Sequence, residues 1–286
     1  MSSSGILMPA RYVPFSRVSR MVAASSGERA HNDVGCAAPT MVATAVPHDP
    51  APITATRSFI DQTLRRPRST SCVHPYTGSV SKATLPSARD SAPPLDARLG
   101  PEVVLVPVKA FHQAKRRLGS ALADPERVRL VRAMATHVVC ACVPLPVAVV
   151  CDDEDVARWA SDLGASVMWE PGQGLNGAVR AGVDRLARAG AVWVTVAHGD
   201  MPRARGLGAL PPFDGVTLVP DRRDDGTNVL RLPAASDFCF AYGPGSFRAH
   251  RAEATRLGLG VRVLRHPDLA YDVDWPADVA ELGERL

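Results

Sequence analysis

The chain has 286 residues, with 33 Lys and Arg against 29 Asp and Glu, and a formal net charge of +4. The basic excess is confined to residues 1–98, which hold 11 basic and 6 acidic side chains, so the remainder lacks the basic surface of a nucleic-acid-binding protein. No run reaches the roughly 18 to 20 apolar residues needed to cross a bilayer, which argues against a membrane protein.

Residues 1–100 are rich in Ser, Pro, Ala, Thr and Arg and show no lasting apolar periodicity. Such a segment cannot bury enough apolar surface to offset its ordering entropy, so we expect a disordered basic extension. Its composition is similar to that of a transit peptide, but it lacks a clear amphipathic helix, and Met41 is an alternative start. One domain over residues 101–286 then accounts for the rest of the chain.

The six cysteines form no Cys-x-x-Cys pair and no metal-like spacing with histidine. Cys140, Cys142, Cys151 and Cys239 lie in apolar runs, so this usage predicts reduced core thiols in a cytoplasmic protein.

A buried, β-branched strand over 103–108 leads directly into a basic loop that contains Lys109, Lys115, Arg116 and Arg117. The carboxyl end of a parallel strand is where open α/β sheets bind ligands. This density of cationic groups suits a polyphosphate better than an uncharged ligand. The alternative is a solvated basic loop.

Helices and strands alternate over the next hundred residues. The predicted elements are a helix from Asp124 to about Val139, a strand over 146–151, a helix from Asp152 to Leu163, a strand over 166–169, a helix over 175–189 and a strand over 191–197. This alternation predicts right-handed βαβ units, hence a mostly parallel sheet with helices on both faces.

The second half of the domain breaks this regularity. Short strands are predicted over 216–220, 228–232 and 238–242, followed by a helix over 246–257, a strand over 261–264 and a helix over 276–286. Because the short strands lie close together in the sequence, at least one should join the sheet antiparallel. The fold class is therefore α/β with a mixed, mostly parallel sheet.

Three carboxylates are placed to form a cation site. Asp200 directly follows the fourth strand, and Asp272 and Asp274 alternate along an extended segment, so their side chains point the same way. Oxygen ligands beside a phosphate site suit Mg²⁺. As alternatives, Asp200 is a turn residue and Asp274 caps the helix that begins at Pro276.

Two Gly-bearing loops open predicted helices. Residues 172–177 precede one helix, where glycines permit close backbone approach to a ligand. Ser246 opens another helix, either as its N-cap or as part of an anion site. His250, one turn later, either reaches the same anion or lies on the helix surface.

Short motifs in a fixed order carry a family resemblance. They are Pro107-Val108-Lys109 with 115–118, then 174–178, 199–202, 225–228, 243–246 with His250, and 272–278. In this order they resemble the guanylyltransferases that make the phosphodiester of coenzyme F-420. The match covers residues 103–286.

The resemblance implies a nucleotidyltransferase fold of the GT-A-like, Rossmann-like type. It also implies a reaction in which the phosphate of a small phosphorylated carboxylic acid attacks the α-phosphorus of GTP and releases pyrophosphate. Bacterial members are associated with phosphoenolpyruvate and archaeal members with 2-phospho-L-lactate. The sequence leaves these two acids and 3-phospho-D-glycerate open as acceptors.

The family's functional residues transfer to matching positions of this chain. The resemblance implies that Thr227, Gly243, Ser246 and His250 bind the acceptor acid, that Asp200, Asp272 and Asp274 hold Mg²⁺, that Lys109, Lys115 and Arg117 are catalytic groups on the GTP phosphates, and that Leu175, Asn176 and Gly177 face the guanine. The sequence departs from the usual pattern at His198-Gly199, where a small or polar pair is common, and at Trp275, which replaces a common Thr.

Two competing functions share some of these features. Sugar-phosphate or molybdopterin-type nucleotidyltransferases have the same fold, but their Gly-Gly-x-Ser/Thr-x-Arg loop is replaced here by Pro107-Val108-Lys109. A nucleotide-binding regulator without turnover is the other alternative.

Overall fold

The computed structural model describes residues 51–65 and 99–284 of the chain. Its strands are β1 (Glu102–Pro107), β2 (Val147–Cys151), β3 (Ser166–Trp169), β4 (Trp193–Ala197), β5 (Val216–Pro220), β6 (Thr227–Pro233) and β7 (Val261–Val263). Its α-helices are α1 (Ala51–Arg65), α2 (Asp124–Ala141), α3 (Glu154–Asp162), α4 (Gly174–Arg188), α5 (Ser246–Arg256) and α6 (Pro276–Glu284). Short 3-10 helices cover Arg116–Ser120 and Leu207–Ala209.

The seven strands form one sheet in the order β3-β2-β1-β4-β6-β5-β7. β1 pairs in parallel with β2 on one side and with β4 on the other, so the strand order reverses at β1. The four central residues of β1, 103–106, are fully buried because both faces of the sheet are covered. The crevice at such a reversal is the usual ligand site of an open α/β sheet.

β6 is antiparallel to both β4 and β5. Because β6 runs in the opposite direction, its first residue, Thr227, lies at the sheet edge where the parallel strands end. The backbone N–H of His198, just after β4, donates to the carbonyl of Asn228 at 3.0 Å. This reversed strand thus brings the second half of the chain to the β1 and β4 loops, and the prediction of an antiparallel strand is confirmed.

Helices cover both faces of the sheet. Buried residues of α1, α2, α3 and α6 contribute to one apolar core, and those of α4 and α5 contribute to the core on the other face. The predicted α/β class, with its mixed and mostly parallel sheet, is confirmed. Most predicted helix and strand boundaries agree with the structure to within about two residues.

Helix α1 lies inside the extension that the sequence predicts to be disordered. Phe59 and Ile60 are 5% and 4% exposed and belong to the core that α2 and α6 also form. Arg57 donates to Glu126 of α2 at 2.6 Å. The prediction of disorder is therefore wrong over Ala51–Arg65, because apolar side chains spaced along one helical face find a groove to fill. The other residues of 1–98 lie outside the described part.

Residues 238–242 do not form the strand that their apolar pattern predicts. Their backbone donors are satisfied by side chains instead of by a neighbouring strand. The N–H of Ala241 donates to Nε2 of His250 at 3.0 Å, and the N–H of Tyr242 donates to Oδ1 of Asn176 at 2.7 Å. The segment is consequently a connection pinned by α4 and α5.

Cys142 and Cys151 are buried free thiols, as predicted, whereas the free thiol of Cys239 is exposed and does not belong to the core. Cys140 differs from the prediction because it is disulfide-bonded. Over the described ranges, the helices are all too short or too polar to pass through a bilayer.

Candidate active site

A cleft of about 400 Å³ opens where β1, β2 and β4 end. Lys109, Lys115, Leu175, His198 and Asp200 are among the residues that line it. The strands carry apolar residues up to this edge, and the polar side chains begin as soon as each strand ends. Asp152 and Glu170 also line it, so the cleft joins two lysines, three carboxylates and apolar surface, a combination suited to a nucleotide bound with a cation.

Lys115 adopts the left-handed backbone conformation, with φ of 53°. A non-glycine residue is held there only when its surroundings determine it. The 4% exposed Arg127 of α2 does so, because its guanidinium donates to the carbonyl of Ala114 and, at 3.0 Å, to that of His112. The loop after β1 is thus rigid in the described structure.

The Lys115 ammonium joins two of the predicted metal ligands. Its Nζ donates to Asp200 Oδ2 at 2.6 Å and to Asp274 Oδ1. Burial alone would lower the pKa of Lys115, but the two carboxylates outweigh it and raise that pKa. Burial also acts to raise the pKa of Asp200, and the charge of Lys115 reverses this and lowers it. Both side chains therefore stay charged.

Asp272 is 6% exposed. The positive charge of Lys115 offsets the cost of burial less for this carboxylate than for that of Asp200. Burial, together with the charges of Asp200 and Asp274, raises its pKa to about 7. Oδ1 of Asp272 and Oδ1 of Asp200 are both buried without a hydrogen-bond partner. Repelling carboxylates with unpaired oxygens lower their free energy when a cation binds.

This donor set fits a hard divalent cation, which takes oxygen ligands. The structure thus brings Asp200, Asp272 and Asp274 together, as the sequence predicts, with Lys115 among them. In the described ranges, no group of three or more His, Cys, Asp or Glu side chains is already arranged around a metal position. Lys115 supplies the positive charge between the carboxylates in this geometry.

The segment that carries Asp272 and Asp274 is fixed by Asp278 of α6. Oδ2 of Asp278 accepts from the N–H groups of Asp274 and Trp275 at 2.9 and 2.8 Å. Arg222 donates to Oδ1 of Asp278 at 2.6 Å. Asp278, and not Asp274, therefore caps this turn, and the Asp274 carboxylate accepts from Lys115 instead.

Arg117 lies away from the lining of the cleft. Its guanidinium carbon is 4.8 Å from the ring centroid of Trp275, which is 45% exposed. The pair forms part of the rim beside Asp274, so of the predicted phosphate-binding cations only Lys109 and Lys115 line the cleft.

The three residues predicted to face the guanine separate in the structure. Leu175 lines the cleft and is 43% exposed. The Asn176 amide instead hydrogen-bonds to the backbone of Tyr242. Its Nδ2 donates to the Tyr242 carbonyl at 3.2 Å, and its Oδ1 accepts from the Tyr242 N–H at 2.7 Å. A Cβ on Gly177 would lie 3.0 Å from Cβ of Gln173, so Gly177 packs inside the helix turn.

Thr227, Ser246 and His250 form a buried group at the start of β6 and α5. Oγ of Ser246 donates to Oγ1 of Thr227 at 3.4 Å, and Nδ1 of His250 lies 3.0 Å from the same oxygen. Because Nε2 of His250 accepts the Ala241 N–H, Nδ1 carries the ring proton and donates to Thr227.

Both ring nitrogens of His250 are therefore engaged inside the protein. The alternative that His250 lies on the helix surface is wrong, because the side chain is fully buried. The predicted contact of His250 with the acceptor acid stays a prediction, and in this structure the ring orients Thr227. Ser246 is not the N-cap either, since Gly245 holds that position with φ of 73°.

Gly243 lies in the exposed loop just before this helix, and Gly245 donates to Asp225 Oδ1 at 3.0 Å. The structure accordingly brings Thr227, Gly243 and Ser246 to one corner of the site.

Sequence reasoning missed Arg127, Asp278 and Tyr242. A signal exists for Asp278, because an acid in the first turn of a helix commonly caps it. For Arg127 and Tyr242 no local signal exists, since their partners are distant in sequence.

The comparisons with known proteins agree with this geometry. The family model described as guanylyl transferase CofC like matches residues 102–283. This region holds the sheet and the carboxylates of the site, and begins after α1.

Named relatives cover the same region. The phosphoenolpyruvate guanylyltransferase of Sphaerobacter thermophilus is 38% identical over 190 residues, which is 63% of this chain and 92% of the relative. That of Rubrobacter xylanophilus is 36% identical over 187 residues, or 62% of this chain and 91% of the relative.

A solved structure supports the fold. A protein of Desulfovibrio desulfuricans G20, described as a nucleotide-diphospho-sugar transferase, aligns with a TM-score of 0.50 and 16% identity. The alignment covers 61% of this chain and 82% of that protein. This likeness shows the nucleotidyltransferase fold.

Proposed function

The chain belongs to the family of CofC-like guanylyl transferases of coenzyme F-420 biosynthesis, and we propose that it joins GMP from GTP to the phosphate of phosphoenolpyruvate. The relatives' names support phosphoenolpyruvate as the acceptor over other phosphorylated acids. The described site supports the reaction type, because a cleft with two lysines lies directly beside a cluster of three carboxylates.

The observation that carries the proposal is the pair of unpartnered oxygens, Oδ1 of Asp200 and Oδ1 of Asp272, at the edge of this cleft. Asp200 and Asp272, with Asp274 beside them, would hold Mg²⁺. When bound, the metal neutralises charge on the triphosphate and on the departing pyrophosphate.

The protein's own groups position the reactants. Lys109 and Lys115 hold the phosphates of GTP, and Leu175 lies against the base. Thr227 and Ser246, whose side chains meet at the start of α5, receive the acceptor acid. His250 keeps Thr227 oriented through its Nδ1–H.

The chemical step needs no covalent group from the protein. An oxygen of the acceptor phosphate forms a bond to the α-phosphorus of GTP, and the bond from that phosphorus to the bridging oxygen of pyrophosphate breaks. The nucleophile is already anionic, so no proton has to be removed. In-line positioning and charge neutralisation supply the catalysis.

Pyrophosphate release tests the proposal. We expect release that depends on GTP, Mg²⁺ and phosphoenolpyruvate together, and faster turnover with phosphoenolpyruvate than with 2-phospho-L-lactate or 3-phospho-D-glycerate at equal concentrations. Preference for another of the three acids would overturn the acceptor assignment. Binding of GTP without any pyrophosphate release would favour a regulator instead of an enzyme.

A further inference from the structure

Two unpaired polar atoms lie in the aromatic group next to Thr227. The Tyr242 hydroxyl and Nε2 of His198 are both buried, and neither has a hydrogen-bond partner among the described residues. Tyr242 as a whole is 8% exposed, whereas His198 also lines the cleft. Buried polar atoms in native proteins are almost always paired, so each exception needs an explanation.

The position of Tyr242 is fixed from several directions. Asn176 holds its backbone N–H and carbonyl with both ends of one amide. The ring lies between two imidazoles, with centroids 4.8 Å from His198 and 4.7 Å from His250. The Tyr242 hydroxyl is therefore held rigidly, and rigid donors suit recognition because little freedom is lost on binding.

The chemistry of the two groups matches an anionic oxygen. Burial raises the pKa of Tyr242, so its phenol stays protonated and can donate. The His198 ring lies 4.8 Å from that of Tyr242, and its Nε2 donates when the imidazole carries its proton on that nitrogen. An O–H buried without a partner destabilises the protein, and a ligand that accepts from it removes that penalty.

The acceptor acid carries two anionic ends. Its phosphate has to approach the α-phosphorus of GTP, where the lysines and carboxylates lie. The carboxylate at the other end needs donors of its own, and neutral donors fit it without adding charge to the buried aromatic group. In the described group that runs from Thr227 through His250 to Tyr242 and His198, the Tyr242 hydroxyl and Nε2 of His198 are the atoms buried without a partner.

We propose that the Tyr242 hydroxyl, together with Nε2 of His198, is the specificity-determining contact for the carboxylate of the acceptor acid. The pair thus selects phosphorylated carboxylic acids over phosphomonoesters of similar size. This inference rests on the proposed function of the same site.

Tyr242→Phe tests it, because this change removes the hydroxyl and keeps the ring. We expect KM for phosphoenolpyruvate to rise about ten- to hundredfold, the range for a hydrogen bond to a charged group, while KM for GTP stays unchanged. The melting temperature should hold or rise, since an unpaired buried hydroxyl is lost. A merely structural role for the hydroxyl would lower stability instead.

Ser236→Ala is the matched control. Ser236 Oγ is also buried without a partner, but it follows the far end of β6, away from Thr227. We expect unchanged KM values in this variant. A second readout is turnover with isopropyl phosphate, which lacks the carboxylate: Tyr242→Phe should leave its KM unchanged.

Assays of wild-type protein distinguish a failure of the proposed function from a failure of the carboxylate contact. If wild type shows no guanylyl transfer to any phosphorylated acid, the proposed function fails. If wild type is active and Tyr242→Phe keeps the wild-type KM for phosphoenolpyruvate, or raises the KM for isopropyl phosphate equally, the carboxylate contact is overturned.

Discussion

At one edge of the sheet, the surroundings favour the charged form of Lys115 and disfavour the charged form of Asp272. Lys115 is stabilised as a cation by Asp200 and Asp274, whereas Asp272 lies buried beside the same carboxylates with a raised pKa. Lys115 lies between two of the carboxylates, and two carboxylate oxygens, Oδ1 of Asp200 and Oδ1 of Asp272, remain without a hydrogen-bond partner. A divalent cation is the simplest ligand that would satisfy both oxygens.

Replacing either carboxylate by a neutral amide tests the cation site through the turnover rate. We expect Asp200→Asn and Asp272→Asn each to reduce turnover about a hundred- to a thousandfold, because a preorganised electrostatic contact is worth roughly 3 to 4 kcal/mol. Raising Mg²⁺ should partly restore each variant. Asp184→Asn on α4, whose side chain is 48% exposed, serves as the control. Wild-type rates at low Mg²⁺ in both variants would contradict a metal site.

The same two variants should differ in stability without metal. Asp200→Asn deprives a largely buried Lys115 of one partner, so the free energy of unfolding should fall by about 1 to 3 kcal/mol. Asp272→Asn removes a carboxylate that its neighbours repel, so stability should hold or rise. Urea denaturation in chelator measures both, and equal losses would show that the two carboxylates have equivalent surroundings.

His250 predicts a pH dependence of stability. Burial, with the neighbouring His198, lowers its pKa from 6.5 to about 4. The unfolded chain therefore binds a proton that the folded protein rejects, so stability is complete above about pH 6.5 and falls as pH drops towards 4. The contribution of this one group is about 3 kcal/mol.

His250→Asn isolates this contribution, because Asn does not titrate. The loss of unfolding free energy between pH 6.5 and 4 should be smaller in the variant than in wild type by roughly that amount. Parallel urea midpoints at both pH values measure it, and identical pH slopes would mean that folding does not lower the pKa of His250.

Helix α1 is an element that the sequence does not predict. Its composition is similar to the Ser- and Thr-rich residues around it, and its apolar face is short. Only the groove beside α2 and α6 gives Phe59 and Ile60 somewhere to pack. Because α6 also carries Asp278, docking of α1 is connected through that helix to the segment bearing Asp272 and Asp274.

The docking of α1 has a direct test. Phe59→Ala combined with Ile60→Ala should lower the free energy of unfolding by roughly 2 to 4 kcal/mol, the amount expected for burying two large apolar side chains less the ordering of the helix. Gln62→Ala, on the exposed face, should change it by less than about 0.5 kcal/mol. An unchanged urea midpoint in the double variant would mean that α1 does not pack on the domain.

The alternation of helices and strands over 102–200 could be predicted because the apolar periods of the elements differ and acidic residues or glycines mark several of their ends. The acid Asp153, for example, accepts from Asp155 and Val156 at the start of α3. Residues 238–242 could not be predicted, since their aromatic pattern indicates a strand while distant side chains take their backbone donors. Local patterns do not encode such partners.

For the molecule as a whole, the sequence places the carboxylates and lysines on the correct edge because parallel strands end on one side. It does not predict the internal hydrogen bonds of Asn176 and His250, polar residues near the starts of α4 and α5. Whether such a side chain faces a ligand or the protein depends on three-dimensional packing that motif spacing does not contain.

The proposed function predicts a preference for GTP over ATP. We expect GTP to be used at least about tenfold better than ATP, as kcat/KM, although only Leu175 of the predicted guanine-facing residues lines the cleft. Steady-state assays with each nucleotide at saturating acceptor measure it. Equal kcat/KM values would contradict guanine recognition.

The central claim is that GMP is transferred directly to the phosphate of phosphoenolpyruvate, and phosphorus NMR of the complete reaction tests it most directly. The predicted result is a pair of coupled doublets from a new, unsymmetrical diphosphate that appears in a one-to-one ratio with pyrophosphate, and only when GTP, Mg²⁺ and phosphoenolpyruvate are all present. Conversion of GTP without that pair of doublets, or no conversion at all, would contradict the claim.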